Sequence, residues 1–169
     1  MDVLFKQIGI IHSCFDSQDD TPVQGVFSDA CGTVELFPEY AEGLRDIAGF
    51  SHVYLIYYFD RAREHVLIQK PFLDGSKGRG IFATRHFNRP NHIGLSIVGL
   101  EGVRGNVLDV AGVDVLDGTP LLDIKPYVKQ FDHRENVRCG WVDERNLDSI
   151  SVDRFTPKEL RDHDARQER

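Results

Sequence analysis

Three polar stretches between Asp74 and Tyr127 carry side chains that regular structure does not need. The first, Asp74-Gly75-Ser76-Lys77-Gly78-Arg79-Gly80, places three glycines in six positions beside two cations. Glycine lets a backbone approach a ligand closely, and the cations supply charge. The second, Thr84-Arg85-His86-Phe87-Asn88-Arg89-Pro90-Asn91-His92, sets two arginines and two asparagines around a proline. Arginine forks match phosphate or carboxylate oxygens, and asparagine can read the edge of a base. The third, Asp114-Val115-Leu116-Asp117-Gly118-Thr119-Pro120-Leu121-Leu122-Asp123-Ile124-Lys125-Pro126-Tyr127, combines a sharp turn with a cation and a phenol on a proline-stiffened backbone. Each stretch singly also reads as a surface turn or a loop tied down by its own hydrogen bonds. Their conjunction points to a site.

The elements that must hold these loops read as short apolar runs separated by turn residues, the pattern of an all-β barrel or sandwich. Strands are expected over 4–12, 25–27, 32–37, 51–59, 80–84, 95–103, 106–111 and 121–124, with a hairpin turn at Arg104-Gly105-Asn106. A first helix starts at Pro38 and ends near Gly43 or Leu44. A second has a capping box, Thr156 with Glu159, and Pro157 at its first position; the tail from Arg161 to Arg169 has no apolar stripe. Residues 1–131 read as a barrel domain. Residues 132–169 read as a less regular connector, with Trp141 as an anchor onto the barrel, and a capped surface helix.

Composition narrows the function classes. The chain has 169 residues, 41% of them hydrophobic, enough for a core without disulfides. Three cysteines, Cys14, Cys31 and Cys139, are odd in number and widely spaced, which fits a reducing cytoplasm. No signal-peptide pattern or membrane-spanning run is present, so a soluble cytoplasmic protein is expected. The seven histidines have no metal-ligand spacing, so no metal is expected. GxGxxG, GxxxxGK[ST], HExxH and GxSxG are all missing, which disfavours Rossmann and P-loop enzymes. Net charge is −7, but it is uneven. Residues 1–60 carry two basic and ten acidic side chains, residues 61–91 seven and two, and residues 92–169 eleven and fifteen. One central basic strip in an acidic chain suits a selective phosphate contact rather than a general nucleic-acid binder.

Taken together, Glu35-Leu36-Phe37-Pro38-Glu39-Tyr40-Ala41-Glu42-Gly43-Leu44, Gly49-Phe50-Ser51-His52-Val53, Arg79-Gly80-Ile81-Phe82-Ala83-Thr84-Arg85, Asn88-Arg89-Pro90-Asn91, Ile93-Gly94-Leu95-Ser96 and Leu116 to Tyr127 of the third polar stretch resemble the signature of the TsaA-like tRNA methyltransferases. The resemblance covers about residues 4–131. It implies a mainly β fold, a single-sheet β-barrel with short helices, that binds S-adenosylmethionine and forms a homodimer. Relatives of this kind N6-methylate the threonylcarbamoyl-modified adenosine just 3′ of the tRNA anticodon, and often carry a further C-terminal domain.

Carried over by position, the resemblance implies cofactor contacts at Pro22, Val23, Gln24, Asp60, Arg61, Arg85, Leu95, Asp117, Gly118, Thr119 and Pro120. Main chain beside Val23 and Leu95 would meet the adenine edge. Asp117 would meet the ribose or the ammonium, and Arg85 the methionyl carboxylate. Asn88, Arg89, Asn91 and Lys125 are the candidates for the tRNA anticodon loop. Tyr127 or Asp117 would serve as the base, and the sequence does not choose between them. Two positions depart from the family pattern: Asp60, where a histidine is common, and His92, where a proline is. A nonenzymatic S-adenosylmethionine- or RNA-binding barrel, or a methyltransferase with another acceptor, are the competing readings.

Overall fold

A computed structural model of the chain describes residues 3–145 and 147. The helix expected around Thr156–Glu159 and the tail beyond it lie outside the described residues. Six strands close into one antiparallel barrel: β1 (Gly9–His12), β2 (Cys31–Leu36), β3 (His52–Tyr58), β6 (Ile93–Arg104), β7 (Val107–Ala111) and β8 (Thr119–Pro126), in the order β1-β2-β7-β6-β3-β8. Two two-residue strands, β4 (Ile68–Gln69) and β5 (Arg79–Gly80), form a separate ladder.

Alternation explains the barrel. In β3, Val53, Leu55 and Tyr57 face inward while His52 and Tyr58 are exposed. Ile11, Val34, Val98, Leu108, Val110 and Leu121 join them in the core, each side chain burying apolar area worth roughly 1.5–3 kcal/mol. The expected hairpin at Gly105 is present, with φ of +62° at that glycine. Among the described residues no helix is long and apolar enough to cross a membrane.

The barrel has a notch. β3 pairs with β6 from His52↔Gly99 to Tyr58↔Ile93, but β7 joins β6 only from Gly99↔Ala111 onward. The opposite edge of residues 93–98 therefore has no strand beside it, and the loop around Gly25 packs there instead. A Cβ on Gly25 would stand 2.7 Å from Gly112 O and 3.6 Å from Ile97 O, so only glycine allows this approach.

Several expected elements take another form. Gly25–Phe27 is a 3-10 turn, because the close approach at Gly25 leaves no room for a strand partner. The expected strand over 80–84 reduces to Arg79–Gly80 followed by a 3-10 turn, Ile81–Ala83, with Ile81 buried and Phe82 out. Residues 4–7 lie outside β1, with Leu4 94% exposed, while Ile8 continues the ladder by donating to Leu121 O and accepting from the Phe37 N–H. The helix at Pro38 is 3-10 and runs Pro38–Leu44.

After β8 a single α-helical turn, α1 (Lys129–Asp132), leads to a 3-10 segment, Gly140–Glu144. The latter reaches the 74–83 loop rather than the barrel wall. Trp141 Nε1 donates to Ala83 O at 2.8 Å, and the Arg79 guanidinium lies 5.4 Å from the indole centroid. Asp74, 4% exposed, accepts from Arg79 at 2.9 Å and from Arg145 at 2.6 Å. Its carboxyl is lowered from 3.8 to about 2, chiefly by the Ser76 hydroxyl, with Arg79 and the charge of Arg145 adding to it against the cost of burial. A depressed carboxyl stabilises fully above its unfolded pKa and loses that contribution as pH falls through the folded value. The 139–145 segment is therefore expected to loosen between about pH 4 and pH 2. The sole tryptophan, Trp141, should report this as a red shift in emission, already present at neutral pH in Asp74→Asn; an emission spectrum indifferent to both changes would contradict the pinning.

Candidate cofactor groove

Beneath the notch lies a polar chain in an otherwise apolar interior. In β6, Gly94, Ser96 and Val98 point inward, so Ser96 occupies a core position. Its hydroxyl donates to Asp114 Oδ1 at 2.5 Å and meets the Tyr57 hydroxyl at 2.9 Å. With the serine proton spent on Asp114, Tyr57 is the donor in that second bond. Gly94 faces Tyr57 across the ladder, and any Cβ there would collide with the phenol ring. Burial, reinforced by the charge of Asp114, pushes the Tyr57 phenol far above its ordinary range. It stays a neutral donor. Desolvation raises the Asp114 carboxyl, while the Ser96 hydroxyl, the Gly25 N–H, its own N–H and the Arg85 charge work against that rise.

Above this floor opens a groove of about 1310 Å³. Its walls include Pro22, Val23 and Gln24 from the first loop, Asp60 and Arg61 from the end of β3, Arg85, Leu95 and Thr119. Direct bonds tie these segments together. Arg85 donates to Gln24 Oε1 at 2.7 Å. Arg61 donates to Asp117 O at 2.9 Å and Asp16 O at 3.2 Å.

The rest of the 117–120 turn has a different task. Asp117 Oδ1 accepts from the Ser13 N–H at 3.1 Å and lies 3.3 Å from His12 Nδ1. Gly118, at φ +80°, donates to Ile11 O at 3.0 Å, and Pro120 pairs with Ile10 across β1 and β8. These contacts seal β8 to β1, leaving the Asp117 carboxylate turned toward β1.

Of the other expected partners, Arg89 lines the groove, whereas Tyr127, Lys125, Asn88 and Asn91 do not. Tyr127 follows the far end of β8, an eight-residue strand that spans roughly 25 Å at about 3.3 Å per residue. Tyr127 donates its N–H to His52 O at 3.0 Å and sets its ring 5.8 Å from Tyr54. Lys125 pairs with Asp123 at 2.7 Å. Asp117 and Tyr127 thus sit at opposite ends of the same strand. In the 84–92 loop, the Asn88 N–H bonds His86 Nδ1 at 3.1 Å, and Arg89 Nη1 bonds Thr84 O at 2.8 Å and Ile81 O at 3.2 Å. Asn91 is exposed. His92 has φ of +48°, which proline cannot adopt, so this chain turns here by a backbone the family's proline would forbid. Its ring nitrogen Nε2 lies 2.9 Å from Glu64 O.

Sequence reasoning missed Tyr57, Ser96 and Asp114 as a unit. A signal existed: Ser96 is a polar residue at an inward register of a strand, and an inward hydroxyl must find a partner. Trp141, Val142 and Leu147 also border the groove and had no motif to reveal them.

Comparison with known proteins follows the same outline. Residues 10–133 match the family model described as the tRNA-methyltransferase O N-terminal domain. A probable S-adenosyl-L-methionine-binding protein of Pyrococcus abyssi is 52% identical over 149 residues, covering 88% of this chain and 80% of that protein. The human tRNA (adenine(37)-N6)-methyltransferase is 36% identical over 143 residues, covering 80% of this chain but 32% of its own length. A crystal structure of TrmO superposes with a TM-score of 0.73 at 39% identity, covering 83% of this chain and 64% of the solved one. The chain thus spans less than two thirds of that solved relative and about a third of the human one. It belongs to the TsaA-like, or tRNA-methyltransferase O, family.

Proposed function

We propose that the groove binds S-adenosylmethionine and that the chain transfers its methyl to N6 of the threonylcarbamoyl-modified adenosine beside the tRNA anticodon, as a cytoplasmic homodimer. The observation that carries this reading is the meeting of the 22–24, 60–61, 85 and 95 segments around one cavity. Its relatives' names, an S-adenosylmethionine-binding protein and a tRNA adenine-37 methyltransferase, support it.

The residues present suit the donor. Pro22, Val23 and Phe59 offer apolar cover for a purine. The unpaired edge of β6 around Leu95 offers main-chain groups for its rim. Arg85 supplies a guanidinium for a carboxylate. Asp60 and Asp114 line the same groove and set two carboxyl groups where a sulfonium would lie. Thr119 lines the same groove. When bound, S-adenosylmethionine supplies an electrophilic methyl on a sulfonium.

The chain's own contribution is then position and charge. An in-line displacement needs two reactants held close and little covalent help. Arg85, held by Gln24, orients the donor's carboxylate end, and Asp114 sets a carboxyl group at the floor. The acceptor nitrogen is urea-like, so a base that removes its proton assists. Asp117 offers its second carboxylate oxygen for this role, since its contacts to His12 and Ser13 both fall on Oδ1. Tyr127 fills it only if a second copy presents it. Arg89, Asn88, Asn91 and Lys125 remain the RNA candidates, with the Arg89 fork partly spent on its own loop.

The dimer has a physical basis in an outward apolar strip on β6. Leu95 is 54% and Ile97 46% exposed, and Val26 beside them is 81% exposed. Sedimentation at micromolar concentration should give a dimer; a monomer there would remove it from this reading.

Arg85→Ala is expected to weaken donor binding about tenfold or more in calorimetry, the loss typical of a charged hydrogen bond. Unchanged affinity would take Arg85 out of the donor shell. Incubation of tRNA with the chain and methyl donor should add one methyl, detected by nucleoside mass spectrometry, only to tRNA already carrying the threonylcarbamoyl group, with release of S-adenosylhomocysteine. Donor binding without turnover would instead identify a sensor, and methylation of a small molecule alone would displace the tRNA substrate.

A further inference from the structure

Phe82 is out of place by packing logic. It follows Ile81, which is 1% exposed, yet Phe82 is 77% exposed, more than the other exposed phenylalanines Phe5 (62%) and Phe131 (70%). The ring is nonetheless held on a braced support. Ile81 anchors the 3-10 turn in the core, and the Thr84 hydroxyl bonds Ile81 O at 2.9 Å. Trp141 holds Ala83 O, two residues further on. Arg89 grips Ile81 O and Thr84 O, and in that posture its guanidinium carbon lies 5.9 Å from the Phe82 ring centroid. The result is a flat, uncovered aromatic face beside a fixed cation, at the border of the groove that Arg85 also lines.

We infer that Phe82, with Arg89, is a stacking platform for an unpaired nucleobase of the RNA substrate. The inference rests on the tRNA reading above and adds to it a binding residue of stated chemistry. Charge complementarity selects the occupant: residues 61–91 carry seven basic against two acidic side chains. A single ring framed by arginines suits a π-face joined to a polyanion, as in single-stranded RNA, where bases stack on aromatic side chains and phosphates meet cations. A protein partner would call for a broader apolar surface. An adenosine whose N6 must reach the groove has to leave its own stack, and a ring at the groove border receives either that base or its neighbour as it enters.

The test uses the full chain and a synthetic anticodon stem-loop with 2-aminopurine in the loop, a base whose fluorescence is quenched by stacking. Phe82→Leu keeps apolar bulk and removes the π-face; Phe82→Trp restores it. Phe82→Leu is expected to bind the stem-loop about tenfold more weakly, to lose the quenching, and to keep donor affinity and oligomeric state. Phe82→Trp should recover both affinity and quenching. If Phe82→Leu binds and quenches like the parent, the platform is wrong while the tRNA reading stands. If Phe82→Leu changes the oligomeric state, the ring belongs to a contact between copies and the platform is wrong. If the unaltered chain binds no stem-loop, the tRNA reading falls and takes the platform with it.

Discussion

The short hydrogen bond from Ser96 to Asp114 fixes the relation of everything else at the groove. A carboxylate in a largely apolar barrel is costly unless its oxygens are satisfied. Ser96 satisfies one, and the Gly25 N–H contributes as well. That pair of bonds couples the strand bearing Leu95 to the loop bearing Pro22, Val23 and Gln24. Arg85 then attaches to Gln24 and lies within the field of Asp114. Three of the segments that surround the cavity are thus set by one side chain. A hydrogen bond to a charged group contributes about 1.5–3 kcal/mol, enough to hold a loop that has no strand to pair with.

The notch in the barrel is the second constraint. A closed sheet has no free edge, so its backbone has nothing to offer a ligand. Here β7 leaves β6 at Gly99, and the first half of β6 keeps one edge open. The glycines at 25 and 94 serve this arrangement in different ways. One lets a loop lie against Gly112, and the other makes room for the Tyr57 ring within the wall. The groove is therefore a consequence of where the ladder stops.

Most of the barrel was legible because its strands alternate. β3 and β6 announce themselves by inward Val53, Leu55 and Val98, and the hairpin by Gly105. The failures share a cause. Residues 25–27 and 80–84 are apolar enough for strands, but close backbone approach and the burial of Ile81 turn them into 3-10 segments. Periodicity sees side chains and not how near two backbones come. The polar clusters supplied Arg85, Arg89 and Thr119 to the groove wall. Spacing alone does not show that the Asp117 carboxylate bonds Ser13 or that Arg89 also braces its own loop. Asp114 stood inside a recognised stretch, unmarked, because its partner Ser96 is eighteen residues away and on another strand.

The account turns on the claim that the space above Asp114 is a sulfonium nucleoside site. A crystal structure of the chain with S-adenosylmethionine tests it most directly. The account predicts the purine against Val23 and the open edge of β6 at Leu95, the carboxylate on Arg85, and the sulfonium toward the Asp114 floor. Density for the ligand elsewhere on the barrel, with that cavity filled only by water, would contradict it.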